Sequence, residues 1–238
     1  MNSTPSETAA RSGLGKVLES KEPQRRSFAD YRRFIQGHYD GLPGALTAVT
    51  GFLTGHEALA GRLIRPGGFD VRGCQRILDA ACGNGRYSKF LLRRADPDMQ
   101  LTVFDLSQQM VRRARERLHS DRVTYAAADL TRLPYADATF DAIVCGWALE
   151  HLPDPRPGLR ELARVLRPGG KFLLLVTEDT VTGAMCSRLW HCRTYNRQEL
   201  KQTCQECGLS WERELWFSRL HAWLRLGGII VELRKRDK

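Results

Sequence analysis

No apolar run in this chain approaches the about 20 residues that a membrane-spanning helix needs. Residues 1–11 lack the hydrophobic stretch of a secretory signal. No internal repeat is present, so a repeat architecture is excluded. The seven cysteines are odd in number and scattered through predicted strands and helices, which argues against a disulfide framework and for a reduced, cytoplasmic protein. Paired C-x-x-C knuckles are missing as well. Cys204-x-x-Cys207, with Cys186, His191 and Cys192 upstream, could offer four zinc ligands. However, Leu200, Cys204 and Cys207 fall at i, i+4 and i+7 of a predicted helix, which is core spacing, and no metal is expected. Acidic residues are in short supply, 27 against 37 basic ones, a net charge of +10. An acidic partner (nucleic acid, an anionic lipid surface, an acidic small molecule) is one reading. A solvated basic surface is the simpler one. Arg112, Arg113, Arg115 and Arg117 share a predicted helix whose apolar stripe is Met110, Val111, Ala114 and Leu118, so most of them must face water.

What is present is an alternation of short apolar runs with amphipathic segments. Residues 1–24 are rich in Ser, Thr, Pro and Gly without periodicity, and are expected to be a disordered tail. Residues 25–68 predict a helical cap. Phe28, Tyr31, Phe34 and Ile35 share one face of its first helix, and a second helix opens after Pro43 and runs to Ile64. Residues 69–238 form the main domain. Strands are predicted at 76–79, 100–104, 123–127, 141–145, 171–177, 211–217 and 228–234. Helices are predicted at 86–94, from the Ser107 cap to 119, within 155–166, and at 197–207 after an Asn196 cap. Pro168-Gly169-Gly170 is read as the stop of the third of these, and residues 178–194 as a pause in the alternation. Repeated β-α units with strands this apolar imply an α/β fold with a doubly wound, mostly parallel sheet.

The chain is organised around Ile77-Leu78-Asp79-Ala80-Ala81-Cys82-Gly83-Asn84-Gly85-Arg86, a strand end, a tight glycine turn and a helix start. That order brings backbone close to a ligand. Asp105 ends the next apolar run, twenty residues after Gly85, where a carboxylate can accept both hydroxyls of a ribose. Dinucleotides and S-adenosylmethionine both fit that much. Asp79 inside the turn would repel a diphosphate and favour the α-amino group of a methionine moiety, and the third glycine position is Ser88. The cofactor expected is therefore S-adenosylmethionine, and an NAD-dependent oxidoreductase is opposed.

Residues Leu78–Gly85, Phe104–Ser107, Ala128–Leu130, Phe140–Cys145 and Leu166–Lys171 occur in the order and spacing of a family that this chain resembles, the class I S-adenosylmethionine-dependent methyltransferases of small-molecule type. One departure is Ala81, where that family usually has its first glycine. The resemblance implies a Rossmann-like sheet of seven strands, the last running antiparallel between the fifth and sixth. It also implies N-terminal helices over the cofactor, with Tyr31, His38 and Tyr39 as candidate contacts. The implied cofactor residues are Tyr39, Asp79, Ala80, Ala81, Gly83, Gly85, Asp105, Leu106, Met110, Asp129, Leu130, Cys145 and Gly146. Within that set Asp129 and the next N–H would read adenine, Leu106 and Met110 would sandwich it, and Cys145 and Gly146 would touch the methionine end. His151 is the titratable residue beyond the fourth strand best suited to accept a proton near neutral pH, with Glu150 a weaker candidate. Trp147, Trp190 and Tyr195 are expected to line the acceptor pocket. The function expected is methyl transfer to an O, N or C nucleophile of a small lipophilic or aromatic metabolite, yielding S-adenosylhomocysteine. Alternatives are methylation of RNA or protein, which the basic charge favours but no aromatic-basic stacking motif supports, and a non-catalytic cofactor-binding scaffold.

Overall fold

The computed structural model describes residues 20, 22–40, 56–224 and 226–236. Residues 1–19 and 21 of the predicted tail, the start of the second cap helix and the side chains of His38 and Tyr39 lie outside the described residues, whereas the end of the predicted tail is ordered, Glu22–Arg25 forming a helical turn. In chain order the elements are α1 (Glu22–Arg25), α2 (Phe28–Asp40), α3 (His56–Leu63), β1 (Arg76–Ala80), α4 (Arg86–Arg94), β2 (Gln100–Asp105), α5 (Gln108–Leu118) and β3 (Val123–Ala127). There follow β4 (Phe140–Gly146), a single 3-10 turn (Leu149–His151), α6 (Arg156–Val165), β5 (Leu166–Val176), α7 (Val181–Trp190), α8 (Arg197–Glu206), β6 (Leu209–Glu214), α9 (Arg219–Leu224) and β7 (Ile229–Lys235).

The seven strands form one sheet in the order β3-β2-β1-β4-β5-β7-β6. β1 to β5 pair in parallel, and β7 runs antiparallel between β5 and β6. β1, β4 and the second half of β5 are buried almost throughout because helices cover both faces of the sheet. On one face Leu78, Phe104, Ile143 and Leu174 pack with Leu159 and Leu162 of α6 and Leu200 and Cys204 of α8. On the other, Ile77, Val103, Val144 and Leu173 pack with Leu91 of α4 and Ala114 of α5. Alternate residues of each strand thus serve opposite cores, as the two-residue period of a strand requires. The order reverses between β1, which is followed by a step towards β2, and β4, which is followed by a step towards β5. A crevice opens at such a reversal, at the carboxyl ends of the strands.

Several boundaries depart from the sequence expectation for local reasons. Pro168-Gly169-Gly170 does not stop a helix; α6 ends at Val165 and β5 begins at once. The pairing of β5 with β4 jumps from Phe140↔Leu166 to Ala142↔Lys171, so the Pro-Gly-Gly run is the irregular stretch of a long strand. A Cβ on Gly170 would lie 2.6 Å from Leu166 Cδ1 and 2.8 Å from the Arg167 carbonyl oxygen. β6 spans Leu209–Glu214 rather than 211–217, and Trp216 and Phe217 leave the sheet. α7 replaces the expected pause. Thr180 caps it by accepting from the Gly183 N–H, 3.1 Å away. Asn196 caps α8 as expected, accepting from the N–H groups of Gln198 and Glu199.

The Gly170 geometry predicts that Gly170→Ala, although chemically minimal, costs about 1–3 kcal/mol of unfolding free energy by overpacking. Urea denaturation of the two proteins measures it.

Candidate cofactor-binding site

The turn after β1 carries unusual backbone. Ala81 has φ 53°, Gly83 φ 54° and Gly85 φ 77°. A Cβ on Gly83 would meet nothing within 4 Å, so this glycine leaves space open beside the turn. Gly85 has a different task. A Cβ there would sit 3.3 Å from Leu118 and 3.4 Å from Ala114, so it lets α4 pack closely on α5. Ala81 adopts the left-handed conformation that its side chain disfavours.

The turn is tied to the end of β2 by one carboxylate. Asp105 Oδ2 accepts from the Gly83 N–H at 2.9 Å, and Oδ1 accepts from the Ser107 N–H at 2.9 Å. Ser107 in turn caps α5 by accepting from the Met110 N–H at 3.1 Å. One side chain therefore fixes a glycine turn and a helix start relative to each other.

These segments surround a cavity of about 200 Å³ at the reversal of strand order. Its floor is the turn, Ala81, Cys82, Gly83 and Asn84, with Arg86 and Tyr87. Asp105 and the apolar Phe104, Leu106, Met110, Ala128 and Leu130 form one side. Gly146, Trp147, Ala148 and His151, beyond β4, form the other, and Tyr31 and Ile35 of α2 close over it. Tyr31 and Ile35 are four residues apart on one helix face. Trp147 has φ 52°; its ring lies 6.2 Å from Tyr87 and 6.4 Å from Phe217, nearly parallel to the latter. The Tyr87 hydroxyl is buried and has no hydrogen-bond partner among the described residues. The cavity therefore offers an acidic acceptor, an apolar shelf, a glycine turn and a buried unused donor, which suits a nucleoside carrying a polar tail.

Of the residues singled out from sequence, Ala81, Gly83, Asp105, Leu106, Met110, Leu130, Gly146, Trp147 and His151 line this cavity. Asp79, Ala80, Gly85, Asp129, Cys145, Trp190 and Tyr195 do not. Asp79 is 1% exposed and accepts a hydrogen bond from the Ser88 hydroxyl. Burial pushes its carboxyl up to about 7; the Ser88 bonds oppose this and the nearby Asp105 charge adds to it. Asp129 is occupied on both oxygens. Oδ1 accepts from the N–H and hydroxyl of Thr131, each at 2.8 Å, and Oδ2 from Arg32 Nε of α2 at 2.5 Å. Burial works to raise its carboxyl, but the bonds from Arg32 and Thr131 outweigh it and hold it below the usual range. Tyr195 is buried, its hydroxyl donating to the Leu149 carbonyl at 2.9 Å. Trp190 is half-buried at the end of α7.

Sequence reasoning did not single out Tyr87, Arg86, Asn84, Ala128, Ala148 or Ile35 as site residues. Tyr87 and Arg86 follow the second glycine, and a first helical turn after such a loop necessarily faces the ligand side. Glu150 is buried beside the site. Its Oε1 accepts from the Thr177 hydroxyl at 2.5 Å, and burial pushes its carboxyl up to about 8. Among the described residues no group of three or more His, Cys, Asp or Glu could hold a metal ion, and no helix is long and apolar enough to cross a membrane. All seven cysteines are free thiols, Cys204 and Cys207 being buried in the core.

Residues 78–174 match the model of a family described as "Methyltransferase domain". Over 146 residues the chain is 38% identical to 27-O-demethylrifamycin SV methyltransferase of Amycolatopsis mediterranei, covering 58% of this chain and 48% of that protein. It is 35% identical over 161 residues to malonyl-[acyl-carrier protein] O-methyltransferase of Hahella chejuensis, covering 63% of this chain and 56% of that protein. The chain thus spans about half the length of these curated relatives. Among solved structures it resembles 1,6-didemethyltoxoflavin-N1-methyltransferase of Burkholderia thailandensis, which holds 1,6-didemethyltoxoflavin and S-adenosylhomocysteine. The TM-score is 0.61 at 18% identity, over 89% of this chain and 92% of that one, a likeness of fold.

Two expected outcomes follow from the turn. Ala81→Gly removes the left-handed strain and is expected to raise unfolding free energy by roughly 0.5–1 kcal/mol, after the greater flexibility of glycine in the unfolded chain is offset. Asp79 holds its proton in the folded state at pH values where the unfolded chain has lost it. The folded state is therefore favoured at low pH, and stability falls as pH rises from the ordinary carboxylate range towards about 7. Asp79→Asn removes that penalty, so its stability gain over the parent is expected to be larger at pH 8 than at pH 5 in urea titrations. An equal gain at both pH values contradicts the assignment.

Proposed function

We propose that this chain, whose residues 78–174 match the methyltransferase-domain model, transfers a methyl group from S-adenosylmethionine to an O, N or C nucleophile of a small lipophilic or aromatic acceptor. The observation that carries this reading is the clamp of Asp105 on the Gly83 turn, at the edge of an apolar cavity where the strand order reverses.

Bound S-adenosylmethionine supplies an electrophilic methyl group on a sulfonium, which leaves as a neutral thioether. The chain has to bind, orient and keep water away. Asp105 accepts from the two ribose hydroxyls while Gly83 and Ser107 hold it still. Leu106, Met110, Ala128 and Leu130 take the face of the adenine. The turn at Ala81 to Gly83 lets backbone approach the methionine tail, and Gly146 does the same from β4. Asp79 acts from behind the turn. An ammonium group nearby, met directly or through water, stabilises its charged form and lowers the raised carboxyl. Asp129 contributes to the adenine end only with Arg32 accounted for, since that guanidinium already holds one oxygen. Arg32 therefore ties α2, and with it Tyr31 and Ile35, to the nucleoside side of the cavity. Tyr39 remains a candidate contact from the end of the same helix.

The acceptor enters between α2 and the Trp147 wall. The indole, which lines the cavity and is braced by the neighbouring Tyr87 and Phe217 rings, contributes an apolar wall, which favours an aromatic or lipophilic acceptor. His151 faces the same cavity and takes the proton released when an oxygen or nitrogen acceptor is methylated. Trp190 and Tyr195 stand outside the cavity lining and contribute, in this reading, through the wall behind it. The named relatives are methyltransferases of 27-O-demethylrifamycin SV and of malonyl-[acyl-carrier protein]. Both names give a small metabolic group as acceptor, free in one and carried on a protein in the other, which supports a small-molecule acceptor without choosing one.

Isothermal titration with S-adenosylhomocysteine tests the reading. The parent is expected to bind. Asp105→Ala is expected to lose about 10- to 100-fold in affinity, the worth of one or two hydrogen bonds to a charged acceptor. No binding of either S-adenosylmethionine or S-adenosylhomocysteine by the parent overturns it.

A further inference from the structure

Helix α9, six residues long, has no buried residue at all. Leu220 is 60% exposed and Trp223 80%, and Leu224 and Leu226 continue the surface. An indole so fully in water is unusual for a residue that normally buries most of its ring. On α7, Val181, Met185 and Leu189 are also exposed, at a spacing of four, so they lie along one helix face.

Both helices stand at the carboxyl edge of the sheet, the edge that holds the cavity. α7 follows the end of β5. α9 lies between the end of β6 and the start of β7, where Ile229 pairs with Val176. Its position is fixed. His221 rests edge-on against Phe217 at 5.7 Å, and Phe217 stacks on the cavity residue Trp147. Gly227 and Gly228, at φ 96° and 76°, turn the chain straight back into the sheet. A Cβ on Gly228 would come within 2.3 Å of the Val176 carbonyl oxygen.

The charge of these stretches is one-sided. Residues 180–198 contain no Asp or Glu but three arginines, of which Arg197 is neutralised by Glu178 and Glu214, and residues 215–231 contain none but Arg219 and Arg225. Arg188 and Arg219 are exposed beside the apolar side chains. Exposed Leu and Trp next to arginine, without acid, matches the interface of an anionic bilayer: apolar groups enter the acyl boundary, indole sits at the headgroups and guanidinium meets phosphate. We propose that α9, with α7 at the same edge of the sheet, docks this chain peripherally on an anionic lipid bilayer. This goes beyond the methyl-transfer reading and is measured without turnover.

The full chain is sedimented with vesicles of phosphatidylcholine alone or with about a quarter phosphatidylglycerol. The expected result is binding to the anionic vesicles, about tenfold or more above neutral ones and weakening with salt. The double variant Leu220→Ser with Trp223→Ser, on exposed positions, is expected to lose about tenfold or more of that binding while its circular dichroism and S-adenosylhomocysteine titration match the parent. Quenching of the parent's tryptophan fluorescence by brominated anionic lipid gives a measurement that needs no variant. Failure of the parent to bind anionic vesicles, equal binding by the variant, or a dimer in sedimentation velocity that the variant dissociates overturns the proposal.

Discussion

The site depends on one carboxylate held in place by two backbone donors. Asp105 joins the Gly83 turn after β1 to the Ser107 cap of α5, so two β-α units share an acceptor. Hydrogen bonds to a charged group are about twice as strong as neutral ones, and these are almost out of water. The consequence is preorganisation. The acceptor is aimed before any ligand arrives, and the turn cannot drift from the strand beside it. The open space over Gly83 then follows from the absence of a Cβ, and the apolar shelf follows because Leu106 and Met110 are placed by the cap that the same carboxylate steadies.

Much of this was legible in the sequence because it rests on local chemistry. The order strand, glycine turn, helix, strand, Asp is short-range, and it put Ala81, Gly83, Asp105, Leu106 and Met110 around one cavity. The sheet class could be read from buried strands alternating with amphipathic helices. The place of β7 came from family resemblance, since nothing in an apolar run states its direction. What escaped was decided by partners far along the chain. The ion pair of Asp129 with Arg32 spans 97 positions, and no spacing rule reports it. Tyr195 reads as a pocket aromatic until its hydroxyl is seen to reach the Leu149 carbonyl. The Pro-Gly-Gly run looked like a helix stop because those residues do end helices. Here the neighbouring strand accepts the same run as a register shift.

Local costs gather where the cavity is. Two of the non-glycine residues with positive φ, Ala81 and Trp147, line it from opposite sides. Asp79 is buried directly behind the turn and Glu150 within the 3-10 turn, both with carboxyls raised by burial. A fold free to minimise its own energy would place a glycine at Ala81 and an apolar residue at Asp79. Strain and buried acid that cluster round a cavity, and persist because rigid strands on both sides enforce them, are the pattern of a site shaped for a ligand rather than for stability.

The same geometry divides the cavity into two halves. Residues from β1, β2 and the turn after β3 build the half with the acidic acceptor and the apolar shelf, and they are fixed by the parallel sheet. Residues beyond β4 build the other half, and their support comes from later in the chain: Trp147 leans on Phe217, which leaves β6 early, and the Leu149 carbonyl is held by Tyr195. A change in the last third of the chain can therefore reshape the Trp147 wall through Phe217 while the Asp105 clamp stays untouched. The two halves are mechanically separate, because the wall that Phe217 supports can shift without disturbing the turn that Asp105 holds.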